Sequence, residues 1–237
     1  MSVNVNVNDE KIINNNESLT TLNERALKEK KIVYSHFKRL IDIVGSLIGI
    51  VLLLPTATIV FIARFILKED DGPMMYEQLR VGKDGKYFRI YKFRTMVVGA
   101  DKILNEYLEN NEEAKKEFEA NHKLKNDPRI TKIGNILRKT SIDELPQFIN
   151  VLKGDMSLVG PRPLVDGEIE LHNGNPDLYE SVKPGITGYW ACNGRSELTY
   201  EERLKLEYYY IENMSLILDI KCVLKTISAV VSRKGAK

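Results

Sequence analysis

The chain is poor in the residues that most often carry a functional reading. Of 237 residues, two are cysteine, three are histidine and one is tryptophan, and 35 basic against 33 acidic side chains leave a formal charge of only +2. Cys192 and Cys222 show no CxxC spacing, which excludes a disulfide framework; they read as small buried apolar residues in a reducing compartment. His36, His122 and His172 are scattered, and no zinc or triad pattern contains them. So small a basic excess argues against a nucleic-acid partner, whose phosphate backbone asks for a strongly positive face. No apolar run follows the start. Residues 1–31, with V-N-V-N-V-N and N-N-N runs, therefore read as a disordered or loosely helical polar lead, and not as a signal peptide.

The composition changes abruptly at Ile41, where an apolar run begins that lasts to Leu67. A membrane crossing takes about 20 apolar residues, so the run is long enough. Pro55 lies in its middle, removing one backbone hydrogen bond and predicting a kink or break. Lys30, Lys31, Lys38 and Arg39 precede the run, and Arg64, Lys68, Arg80 and Lys83 lie at or beyond its end. Positive residues mark the cytoplasmic side, and here both flanks are positive. That favours a re-entrant helix-break-helix over residues 32–70, entering and leaving by one face, against a plain transmembrane anchor.

Residues 71–237 read as one mixed domain. Met74 to Met96 contains two β-prone runs around Asp84-Gly85, the pattern of a hairpin. Lys92 and Arg94 fall on one face of the second strand, as the charges of a solvated edge or as an anion contact. Asp101 to Lys123 is charged and helical in pattern. Thr140 to Pro163 then reads T-S-I-D-E-L-P-Q-F-I-N-V-L-K-G-D-M-S-L-V-G-P-R-P, with Asp143 and Glu144 adjacent, Arg138 and Lys139 just before them, and Arg162 held between two prolines. Ser141-x-x-Glu144 is also the spacing of a capping box ahead of a helix from Leu145 to Lys153. A carboxylate pair among cations points instead to a metal and a phosphate, since guanidinium forks match phosphate oxygens and Mg²⁺ takes one or two carboxylates plus phosphate.

Further on, Pro184-Gly185-Ile186-Thr187-Gly188 and Asn193-Gly194-Arg195 form a glycine-punctuated loop pair around Trp190, a residue suited to the core or to stacking on a base. Arg195 is a candidate anion contact. Thr199 to Asn213 and Met214 to Ser232 read as helices, the second cationic and amphipathic, fit for a membrane interface or for packing on the core.

Taken together, Lys92-Phe93-Arg94-Thr95-Met96, the Asp143-Glu144 stretch, Pro161-Arg162-Pro163 and the two glycine loops resemble the bacterial sugar transferases, monotopic polyprenyl-phosphate phosphoglycosyl transferases, from about Tyr34 to Arg233. The resemblance is to short, core-only members. It implies an α+β, membrane-associated fold: a re-entrant anchor plus a small, mostly helical catalytic domain with a β-hairpin and interfacial helices. It implies transfer of a phosphosugar from a UDP-sugar to polyprenyl (undecaprenyl) phosphate through an aspartyl intermediate, with release of UMP. That would be the first membrane step of capsule, exopolysaccharide or glycoconjugate assembly. Asp143 would be the nucleophile, with Glu144 helping to bind Mg²⁺ or to orient Asp143; Lys92, Arg94, Arg138 and Arg162 would hold phosphates and Arg195 the donor. The implied location is the bacterial cytoplasmic (inner) membrane with the domain on its cytoplasmic face, and a homo-oligomer is left open. One departure stands out: the family's Ser-Pro at the break is Leu54-Pro55 here, with Thr56 or Thr58 as substitute hydroxyls. Two rivals are an inactive membrane-anchored scaffold or regulator, and direct sugar transfer with UDP as product.

Overall fold

A computed structural model describes residues 7–69, 71–121, 124–194 and 198–231, with backbone alone at 7–30, 120–121 and 230–231. The chain divides into two units, 1–41 and 42–237. Unit 1 is helical from Val7 and begins the long helix α1 (Val7–Leu67), with Ile32, Val33, Phe37 and Leu40 exposed. The polar lead is thus a helix from Val7 onward, and residues 1–6 lie outside the described part.

In the second unit α1 continues through Pro55 as one helix, where the sequence predicts a kink or break. The Thr56 and Thr58 hydroxyls donate to the carbonyls of Leu52 and Leu54, one turn back, at 2.8 and 3.1 Å. One stripe of α1 is buried: Leu53 and Val60 meet Phe93, Ile133 and Leu137, with Ala57 and Ala63 alongside. The opposite side leaves Val44, Leu47, Ile48, Val51, Leu52, Ile59, Phe61, Ile62, Phe65 and Ile66 exposed. Gly45 and Gly49 share a face one turn apart. A Cβ at Gly49 would collide with the Phe148 ring, so glycine there lets the helix approach this closely, while a Cβ at Gly45 would meet the movable tip of Leu158. Asp42, buried within the same face, accepts hydrogen bonds from Ser157 Oγ and the Leu158 amide at 2.9 and 2.8 Å.

The hairpin is present. Strands β1 (Met75–Val81) and β2 (Tyr87–Phe93) pair antiparallel around a turn in which Asp84 and Gly85 take positive φ. Phe88, Ile90 and Lys92 point to one side of β2, where Phe88 and Ile90 pack on Val151 and Met156; Phe93 points to the other side, toward α1. The charged stretch beyond it folds as two helices, α2 (Ala100–Glu109) and α3 (Glu112–Asn121). Helix α4 (Lys132–Thr140) is capped by Thr131, whose hydroxyl accepts from the Gly134 amide at 2.9 Å. A Cβ at Gly134 would lie 2.0 Å from the Thr95 carbonyl, so this glycine seats α4 against the residue following Arg94.

Beyond α4 come a 3₁₀ turn (Ile142–Glu144), helix α5 (Gln147–Lys153) and β3 (Ser157–Val159). Strand β3 pairs parallel with β4 (Gly185–Thr187), a connection that the short apolar runs of the sequence do not announce. Two short helices lie between, α6 (Glu168–Leu171) and α7 (Pro176–Tyr179). Helix α8 (Tyr200–Glu212) opens with a full capping box between Thr199 and Glu202. Helix α9 (Leu216–Val231) buries Cys222 against Val159, Tyr210 and Ile211 and leaves Ile217, Ile220, Leu224 and Ile227 exposed, so it both packs on the core and presents an apolar face.

Candidate active site

The adjacent acids sit where three elements converge: the end of β2, the end of α4 and the start of α5. Ser141 ends α4 in the left-handed conformation (φ 57°), and the chain reverses into the 3₁₀ turn that carries Asp143 and Glu144. Its hydroxyl makes no capping bond to that turn, so the capping-box reading of Ser141 and Glu144 fails. A left-handed backbone at the would-be cap turns the hydroxyl away from the amides that it would have to reach.

The two acids have different partners. Lys92 Nζ reaches Glu144 Oε1 at 2.8 Å, and both side chains are about one third exposed or less. No side chain hydrogen-bonds the Asp143 carboxylate among the described residues. Burial pushes the Asp143 carboxyl up to about 6, helped by the charge of Glu144 and opposed by Lys92 and Arg138. Arg138 stands on the last turn of α4 and is held by Thr95, whose hydroxyl accepts from Nε at 2.9 Å. Asp143 in turn is among the charges that sustain the Arg138 cation against burial. Lys92, Arg138, Asp143 and Glu144 are therefore one electrostatic cluster.

Asn150 ties these elements together. It is fully buried on α5, accepts from the Tyr91 amide at 3.0 Å and donates to the Arg89 carbonyl at 2.7 Å. A side-chain amide thereby takes the place of a neighbouring strand along the free edge of β2, immediately before Lys92. The sequence reading missed Asn150; its only signal was a polar residue inside an apolar helix.

The remaining expected residues lie elsewhere. Arg94 follows the end of β2, donates from Nε to the Pro73 carbonyl at 2.8 Å and covers the Tyr76 ring. Arg162 is clamped by its backbone: its amide donates to Glu207 Oε1 at 3.0 Å, and its carbonyl accepts from the Tyr179 hydroxyl at 2.8 Å. Its guanidinium lies 6.0 Å from the Trp190 ring. Trp190 is half-buried, neither sealed in the core nor fully open. Arg195 lies outside the described residues.

No group of three or more metal-ligating side chains stands together among the described residues. The Asp143-Glu144 pair, whose mutual repulsion helps raise the Asp143 carboxyl, fits Mg²⁺ in the mode in which substrate phosphates and water complete the shell.

Comparison with known proteins bears on the same stretch. A sequence model described as bacterial sugar transferase matches residues 33–233. A UDP-galactose-lipid carrier transferase of Erwinia amylovora is 47% identical over 199 residues, 84% of this chain and 41% of that protein. An undecaprenyl-phosphate galactose phosphotransferase of Salmonella typhimurium is 45% identical, again over 84% of this chain and 41% of its own length. The exopolysaccharide production protein ExoY of Sinorhizobium fredii is 38% identical over 84% of this chain and 87% of its own length. The chain thus spans less than half of the first two relatives and most of the third.

Proposed function

This chain belongs to the bacterial sugar transferase family, and from that premise we propose that it transfers a sugar phosphate from a UDP-sugar to a polyprenyl phosphate by way of an aspartyl intermediate. The asymmetry of the two acids carries the reading: Glu144 is engaged by Lys92, while Asp143 beside it has no side-chain hydrogen-bond partner among the described residues. A carboxylate not tied up by a side chain, next to two cations, can attack a phosphorus atom. The names of two relatives, a UDP-galactose-lipid carrier transferase and an undecaprenyl-phosphate galactose phosphotransferase, support this substrate class.

In the first step an Asp143 carboxylate oxygen bonds to the β-phosphorus of the donor. The bond from that phosphorus to the bridging oxygen breaks, and UMP leaves with the electron pair. In the second step a phosphate oxygen of the polyprenyl phosphate bonds to the same phosphorus and Asp143 departs as carboxylate, giving polyprenyl diphosphate-sugar. Lys92 and Arg138 offset the charge on the phosphoryl oxygens, and the Lys92 ion pair fixes Glu144 beside the reacting carboxylate. Mg²⁺, held by Asp143 or Glu144 together with phosphate oxygens, would add charge neutralisation. A carboxyl near pH 6 is ionised at neutral pH, so the nucleophile needs no separate base.

The exposed apolar side of α1 would lie in the bilayer of the cytoplasmic membrane, with the domain on the cytoplasmic face, where both positive flanks belong. Arg94, Arg162 and Arg195 remain proposed phosphate or donor contacts.

Analysis of the released nucleotide tests the scheme. With UDP-sugar and polyprenyl phosphate the protein should release UMP, and Asp143→Asn should release none. UDP as the product would replace the scheme by direct sugar transfer, and no release across a panel of UDP-sugars would leave an inactive scaffold.

A further inference from the structure

A second cationic cluster lies outside the Asp143 site. Arg80 on β1, Arg162 between its prolines and Arg203 on α8 gather around two acids, Glu168 and Glu207. Arg203 and Arg162 stand 5.9 and 6.0 Å from the Trp190 ring, so one indole borders both guanidiniums. The ion pairs are stretched: Arg203 to Glu168 is 3.4 Å, Arg203 to Glu207 is 3.8 Å and Arg80 to Glu168 is 3.8 Å.

The acids are also occupied. Glu207 accepts from the Arg162 amide and the Tyr179 hydroxyl, and Glu168 accepts from the Val165 amide. Arg80 donates from its two terminal nitrogens to the Pro163 carbonyl and Gln78 Oε1 at 3.3 and 2.6 Å, yet among the described residues the Nε atoms of Arg80, Arg162 and Arg203 are closed off from solvent with no hydrogen-bond partner. Arg162 has no side-chain hydrogen bond or ion pair at all among the described residues. Among the described residues, three cations against two acids leave an excess positive charge in a mostly buried setting, where Arg80 and Arg203 side chains are only 13% and 14% exposed. Burial of an uncompensated charge is unfavourable, and the deficit here is an acceptor with several oxygens. Another carboxylate offers two oxygens; a phosphate offers three or more and matches guanidinium forks best.

We propose that Arg80, Arg162 and Arg203, bordered by Trp190, form a second oxyanion site that takes a phosphate group of one of the two substrates. The phosphate chemistry stands on the cluster itself, whereas its assignment to the donor or the acceptor rests on the function proposed above. Arg162 supplies the unengaged fork, Arg80 and Arg203 supply the excess charge, and Glu207 and Tyr179 hold the Arg162 backbone in place.

Binding of three probes to the full chain in phospholipid nanodiscs tests this: inorganic phosphate, UMP, and undecaprenyl phosphate incorporated in the bilayer. Arg80→Met and Arg203→Met should each weaken at least one probe tenfold or more, while Lys205→Met, on the exposed side of α8, binds it as the wild type does. Loss confined to UMP assigns the site to the donor, loss confined to undecaprenyl phosphate assigns it to the acceptor, and loss of inorganic phosphate alone supports a free-phosphate site. Should a methionine variant fail to fold, Arg80→Lys and Arg203→Lys keep the charge without the fork and should weaken the same probe severalfold. All three probes binding every folded variant within twofold of wild type would overturn the proposal. Because Asp143→Asn reports on the covalent chemistry separately, failure of the transfer mechanism would leave this result readable.

Discussion

At the scale of single residues, the account turns on Asp143 being costly to ionise. Its carboxyl is raised from 3.8 to about 6, so the folded state prefers the protonated form. The sign follows: above pH 6 the fold bears the cost of a charged, half-buried carboxylate, and below about pH 4 both folded and unfolded states are protonated and the cost is gone. In metal-free protein Asp143→Asn should therefore be more stable than wild type at pH 7.5, by on the order of 2 kcal/mol, with the gap closing toward pH 4. Chemical denaturation at the two pH values in the presence of a chelator checks this. An equal or lower stability at pH 7.5 would mean that the carboxylate is comfortable and fully compensated. The Asp143-Glu144 pair and its cationic surroundings were legible in the sequence because the residues are neighbours. The Lys92–Glu144 ion pair spans 52 positions, and no local pattern encodes it. Arg80, Arg203 and Glu207 were missed for the same reason: their partners come from distant segments, and a charge on a strand or helix looks solvated until the neighbouring element covers it.

At the scale of elements, local chemistry was legible where it was self-sufficient. Asp84-Gly85 gave the hairpin, and Thr199, where the sequence begins its helix, caps α8. Ser141 misled because its cap spacing is right but its backbone is left-handed. The parallel pairing of β3 with β4 escaped notice because each strand has only three residues, too few for an alternation to show. What joins the elements of the site is the buried amide of Asn150 on the edge of β2. Asn150→Leu keeps the number and branching of the side-chain heavy atoms but leaves the Tyr91 amide and the Arg89 carbonyl without that partner, at a cost of about 1–3 kcal/mol for each unsatisfied group. The expected outcome is a clear drop in Tm, and transfer activity below that of wild type even at temperatures where the variant is fully folded. A variant as stable and active as wild type would remove Asn150 from the positioning of Lys92.

At the scale of the whole molecule, the hydropathy of Ile41 to Leu67 announced an apolar helix, and the helix is there. Its glycine face and Asp42 were not legible as a docking face, because a glycine in an apolar run reads as neutral until Phe148 and Leu158 are seen against it. With Cys192 and Cys222 replaced by serine, Lys38→Cys and Lys83→Cys should react with a membrane-impermeant reagent from the same side of sealed vesicles. Labelling from opposite sides would make the helix a simple span.

The most direct measurement of the central claim is peptide mass spectrometry of protein quenched after exposure to UDP-sugar without acceptor. The Asp143 peptide should gain the mass of one sugar phosphate and lose it when polyprenyl phosphate is added. Product accumulating while that peptide stays unmodified, or an adduct on another residue, would contradict the account.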